Sequence, residues 1–84
     1  MSLEQNSGNY HVSLTIRNDN STEMRLQLEP WGDYLSLPPG AEYEVIFTGP
    51  VGHTIGIETV ADHLTLYSWP GATAAVWSQG KQLW

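Results

Sequence analysis

The chain has 84 residues, the size of one domain, and carries a net charge of −6 with Arg17, Arg25 and Lys81 as its only cations. Clustered Lys and Arg are what nucleic acid and anionic membrane surfaces require, so this composition excludes both as partners. The absence of Cys excludes disulfides, thiolate metal sites and cysteine nucleophiles, and a 40% hydrophobic, 14% charged composition is the opposite of a disordered chain's.

Residues 1–8 have no basic start and no apolar run, and they read as a disordered tail preceding one domain over residues 9–84. No stretch approaches the length of about 20 apolar residues that a membrane helix needs. Without an export signal, the expected location is the cytoplasm.

The first element comes from Tyr10, Val12, Leu14 and Ile16, which alternate with His11, Ser13, Thr15 and Arg17. A period of two marks a half-buried strand. Asn18-Asp19-Asn20-Ser21 is a turn, because Asn and Asp bond their own backbone and tolerate positive φ. Met24, Leu26 and Leu28 resume the alternation, which predicts an antiparallel hairpin between the two segments.

Glu29-Pro30-Trp31-Gly32-Asp33 interrupts the pattern, and proline's missing donor places it at a corner or an edge. Leu35 and Leu37 form a short strand ending at the turn Pro38-Pro39-Gly40. In the next strand Tyr43, Val45 and Phe47 point one way, while Glu42, Glu44 and Ile46 point the other. The glutamates read as the solvent face of an edge strand. Gly49-Pro50-Val51-Gly52 is a turn, and Ile55 and Ile57 then share a strand face around Gly56, a sign of a bulge or a close neighbour.

A turn near Ala61-Asp62 predicts that His63 lies beside Thr59. The strand His63–Trp69 places Tyr67 and Trp69 opposite Leu64 and Leu66. Pro70-Gly71 turns the chain into a small-residue strand from Ala72 to Trp77, and Gln79-Gly80 starts a last hairpin into Trp84. No segment has helical apolar spacing. The expected fold is therefore all-β: an antiparallel two-sheet β-sandwich of about seven or eight strands, immunoglobulin-like or cupredoxin-like in shape.

Leu28-Glu29-Pro30-Trp31-Gly32, Leu37-Pro38-Pro39-Gly40 and Leu66-Tyr67-Ser68-Trp69-Pro70-Gly71 together resemble a group of small bacterial all-β proteins with an EPWG…LPPG…GWPG pattern. The likeness runs over residues 10–84, with Ser68 standing where that group has Gly. It implies a bacterial, intracellular β-domain. No activity is attached to the group, so no functional residue is carried over.

Candidate chemistry is sparse. Metal ligands must converge at about 2 Å. His11, His53 and His63 show no two-residue spacing, and the predicted hairpin separates His53 from His63. They read as surface or turn residues, with a His-plus-carboxylate metal site, in a metal-assisted or cupin-like enzyme, as the alternative. Glu29 beside Trp31 and Asp33 reads as a carboxylate locking a corner by bonding backbone amides. There is no Gly-x-Ser-x-Gly elbow and no phosphate loop, so no catalytic residue and no cofactor is assigned.

Aromatics are the stronger lead. Four Trp and four Tyr exceed what a core this small holds. Trp31, Tyr34, Tyr67, Trp69 and Trp84 are the candidates for an interface or for ligand stacking, with Ile46 beside them; Trp31 and Trp69 alternatively plug the ends of the core. The first functional expectation is a non-enzymatic interaction module that forms a homo-oligomer through exposed aromatics. The alternatives are a small-ligand or carbohydrate binder and, third, a cupin-like metal-dependent enzyme.

Overall fold

The computed structural model describes residues 10–50 and 54–84. The expected tail, the turn residues Val51 and Gly52, and His53 lie outside the described residues. Eight strands follow in order: β1 (Tyr10–Arg17), β2 (Met24–Glu29), β3 (Asp33–Leu37), β4 (Glu42–Gly49), β5 (Gly56–Val60), β6 (His63–Tyr67), β7 (Thr73–Ser78) and β8 (Lys81–Gln82). There is no helix among the described residues, and so none long and apolar enough to cross a membrane.

The strands form two four-stranded sheets. The first runs β1-β4-β7-β8 and the second β3-β2-β6-β5. Alternation turns one face of each toward a common core. Val45, Phe47 and Val76 come from the first sheet, and Leu26, Leu28 and Leu66 from the second. Burying each of these large side chains contributes about 1.5–3 kcal/mol before entropy is counted.

Two pairings depart from the expectation. β1 and β2 do not form a hairpin: β1 pairs with β4 and β2 with β3 and β6. The alternation in both strands is satisfied equally well across the core as side by side, so it carries no information on which occurs. Nor are the sheets wholly antiparallel, because β2 and β6 run parallel from Arg25↔His63 to Glu29↔Tyr67. Parallel neighbours need a long connection, and here β3, β4 and β5 supply it.

The route from β1 to β2 is set by Asn18, which is fully buried. Its side-chain nitrogen donates to the Thr22 and Leu37 carbonyls, each at 2.9 Å, and its side-chain oxygen accepts from the Asn20 amide at 2.8 Å. Its own amide donates to the Ala41 carbonyl at 3.0 Å, and its carbonyl accepts from Gly40 at 2.8 Å. One residue thus joins the crossing between β1 and β2 to the crossing between β3 and β4. The latter is a type II turn, with Pro39 and Gly40 at its centre, Gly40 at φ 79° and the Ala41 amide donating to Pro38 at 3.0 Å.

Register and edges also differ from the expectation. β4 lies inside its sheet between β1 and β7, so Glu42 and Glu44 stand on an interior strand. His63 pairs with Val60, because the β5–β6 turn contains only Ala61 and Asp62.

Two substitutions probe these joints. Asn18→Ala leaves the buried Leu37 carbonyl without its donor and removes three hydrogen bonds; it is expected to cost about 3 kcal/mol in urea unfolding, and Asn18→Asp, which turns a carboxylate toward two carbonyls, should not rescue it. Gly49, buried at the end of β4, has no room for a side chain, since a Cβ there would stand 2.6 Å from Ala72 Cα. Gly49→Ala is expected to lower unfolding free energy by about 1–3 kcal/mol in the same assay.

Candidate functional site

The inward leucines of the second sheet dictate what its other face presents. With Leu26 and Leu28 inside, β2 turns out Arg25, Gln27 and Glu29. By the same parity β3 presents Tyr34 and Ser36, β6 presents His63, Thr65 and Tyr67, and β5 presents Gly56, Glu58 and Val60. The registers arrange them in rows across the strands. One row is Tyr34, Gln27, Thr65 and Glu58; the next is Glu29, Tyr67 and Gly56.

Both tyrosines are exposed, Tyr34 by 58% and Tyr67 by 42%, and each is held by a neighbour. The Arg25 guanidinium lies 4.1 Å from the centre of the Tyr34 ring, a cation–π contact. The Tyr67 side chain leans over Gly56, where an added Cβ would stand 3.2 Å from Tyr67 Cβ and 3.3 Å from Cδ2. The bare backbone of Gly56 is therefore the seat of that ring, the close neighbour the sequence pointed to. The Tyr67 hydroxyl donates to Glu58 Oε1 at 2.8 Å, and Gln27 Nε2 donates to Glu29 Oε2 at 2.7 Å. At one end of this face Arg25, Tyr34, Asp62 and His63 line a shallow hollow of about 270 Å³.

The Glu58 hydrogen bond holds the Tyr67 hydroxyl above its ordinary value of 10.0, assisted by slight desolvation and by the charges of Glu58 and Glu29. A proton held by a carboxylate is harder to remove.

The remaining candidates fall elsewhere. Trp69 is 3% exposed, so it offers no stacking face, contrary to its expected place beside Tyr67. Alternation ends at Tyr67. The Ser68 amide still donates to the Glu29 carbonyl, but a turn closed by Ala72 N–H to Trp69 O then swings the indole inward. It packs edge-on against Tyr10 and tilted against Phe47, and its N–H donates to the Pro50 carbonyl at 2.7 Å.

Trp31 and Trp84 meet edge-to-face at 5.4 Å, and the Trp84 indole donates to Asp33 Oδ2 at 3.0 Å. Trp31 stays 37% exposed while Trp84 is half-buried. The corner is thus held by Asp33 gripping an indole, and Glu29, expected to bond backbone amides there, accepts instead from Gln27.

His11 lies on the outer face of the first sheet, bonded to Thr48 Oγ1 at 3.0 Å, and His63 lies on the outer face of the second, 2.8 Å from Asp62 Oδ1. The two face opposite sides of the molecule, and no group of three or more metal-ligating side chains occurs among the described residues. Three residues of note were not among the sequence candidates. Arg25 and Gln27 sit beside the tyrosines, and alternation around Leu26 already turns them outward. Trp77, paired with Glu44, is half-buried on the first sheet's outer face and was legible in the same way from Val76.

The edges differ. β8 is only two residues long, Val12, Leu14 and Ile16 of β1 are half-buried, and β3 ends on the buried Leu37, but all five residues of β5 are exposed. Ile57 and Val60 are each 61% exposed. Compared with family models, curated proteins and solved structures, the chain finds no match in any of the three.

The Tyr67 arrangement has a pH signature. In an ultraviolet absorbance titration one tyrosine is expected to ionise above the ordinary value, and Glu58→Gln should return it toward 10.0. Because the folded-state value is raised, the stabilisation from this bond is complete below the unfolded value and is lost as pH rises through the folded one.

Proposed function

We propose that the chain is a non-enzymatic protein-interaction module that associates with a second copy of itself, and that its two layers form a β-sandwich. The sandwich reading is supported by the single core that both sheets share. An immunoglobulin-like shape calls for antiparallel sheets, and the parallel β2–β6 pair departs from that.

The observation that carries self-association is β5. Sheet edges are normally blunted by Lys, Pro, a bulge or extreme shortness. β5, Gly-Ile-Glu-Thr-Val, has neither Lys nor Pro, and its one charge, Glu58, is engaged by the Tyr67 hydroxyl. Such an edge offers main-chain donors and acceptors to another strand. In a two-fold antiparallel pairing, the register selects itself by charge. Centring the axis on Glu58 would set two carboxylates opposite each other, which is unfavourable. Moving it to Ile57 brings the two exposed isoleucines together and places each Glu58 opposite a Gly56.

The exposed aromatics expected to form the contact are redistributed in this reading. Trp69 is interior, and the aliphatic pair Ile57 and Val60 takes its place at the edge. The exposed edge of β5 is what places the interaction reading first.

Sedimentation velocity over a dilution series tests it. The natural chain is expected to sediment as a dimer, and Ile57→Lys as a monomer with an unchanged circular dichroism spectrum. A natural chain that remains monomeric at the highest concentration removes the proposal.

A further inference from the structure

We propose that the outer face of the second sheet is a binding site for a linear, uncharged oligosaccharide, with Tyr34 and Tyr67 as its two stacking platforms. This goes beyond self-association and stands on different side chains from the β5 contact.

β3 and β6 flank β2, so Tyr34 and Tyr67 are two strand spacings apart and offset by two residues, which places them about 12 Å from each other. Each ring has a partner before any ligand arrives: the Arg25 guanidinium lies over one face of Tyr34, and Tyr67 rests on the Gly56 seat with its hydroxyl bonded to Glu58. Ordering already completed in the free protein is not lost again on binding. The electron-rich face of an aromatic ring suits the C–H face of a pyranose, whose hydroxyls project at its rim.

Between the platforms stand Gln27 and Glu29 on β2. Gln27 uses its nitrogen on Glu29 Oε2. Gln27 Oε1 and Glu29 Oε1 carry no hydrogen bond among the described residues, so two acceptors face outward between the rings. Thr65 adds a hydroxyl in the same row as Gln27. Amide, carboxylate and hydroxyl groups on a rigid sheet are the donors and acceptors that sugar hydroxyls pair with.

The rest of the face decides among ligand classes. It carries one guanidinium, Arg25, against the carboxylates Glu29 and Glu58, with Glu23 and Asp62 lining the hollow at its end, so it does not favour an anion such as phosphate or nucleic acid. Val60 is the one aliphatic side chain that the register turns outward there, at the β5 border. A protein interface core is depleted of charge and rich in apolar contacts, and this face has the reverse. A sheet face with two separated rings and hydrogen-bond acceptors between them fits an extended neutral sugar chain, whose hydroxyls donate.

The test is an amide chemical-shift titration of the isotopically labelled full chain with neutral linear hexasaccharides of β-linked glucose, xylose and mannose and of α-linked glucose. At least one is expected to shift resonances of residues 25–29, 33–36 and 63–67 and to leave the first sheet unmoved. Tyr34→Ala and Tyr67→Ala should each weaken binding about tenfold, whereas Tyr67→Phe, which keeps the ring, should retain most of it. Trp77→Ala, on the opposite layer, should change nothing. The proposal is overturned by a silent panel at millimolar sugar, by shifts centred on the first sheet, by binding that survives the double Tyr34→Ala, Tyr67→Ala variant, or by a natural chain that takes up a peptide at this face and no sugar.

Discussion

A single buried amide holds the two layers in their relation. Asn18 sits where β1 leaves the first sheet, and its side chain reaches both the turn that follows and the end of β3. Its main chain is bonded in both directions to the Gly40-Ala41 turn. All of its polar groups have partners, the condition under which a buried polar residue stabilises a structure instead of straining it. An apolar side chain would leave Leu37's carbonyl unpaired inside the protein. The bond to the Leu37 carbonyl ties the first crossing of the core to the end of β3.

Once that crossing exists, much of the rest follows from strand parity. Leu26 and Leu28 face Val45 and Phe47 across the core, so Arg25, Gln27 and Glu29 must face water. The outer face of the second sheet is the complement of its core face, written two residues apart. Trp69 shows where parity stops. A turn begins at that residue, and the indole, freed from alternation, fills the space next to Phe47 and satisfies its N–H on Pro50. Large rings with one polar atom are stable inside only when that atom is paired, and each buried or half-buried indole with a named partner here meets that condition.

The two surfaces left over have different physics. β5 is the last strand of its sheet among the described residues, and Ile57 and Val60 expose apolar area along it. The tyrosine face is a side-chain surface, in which Arg25, Gly56 and Glu58 settle the ring positions and Gln27 and Glu29 offer acceptors between them. A second copy added at β5 would lengthen the sheet and leave that face open, so the two roles are compatible in one molecule.

Read in order, the residues determined the class of structure and nearly every strand. Alternation from Tyr10 to Ile16 and from Tyr43 to Phe47, and the turns at Pro38-Pro39-Gly40 and Gln79-Gly80, are local signals, because the pleat and the turn are local geometry. Alternation around Leu64 and Leu66 likewise turned Tyr67 away from the core. Tertiary structure alone decided that β2 lies beside β6 instead of β1, that β4 is interior, and that Trp69 is inside while Arg25 stacks on Tyr34. The reason is that pairing between distant strands depends on which backbone groups find partners across space. A period of two specifies which way a side chain points and is silent on what it meets.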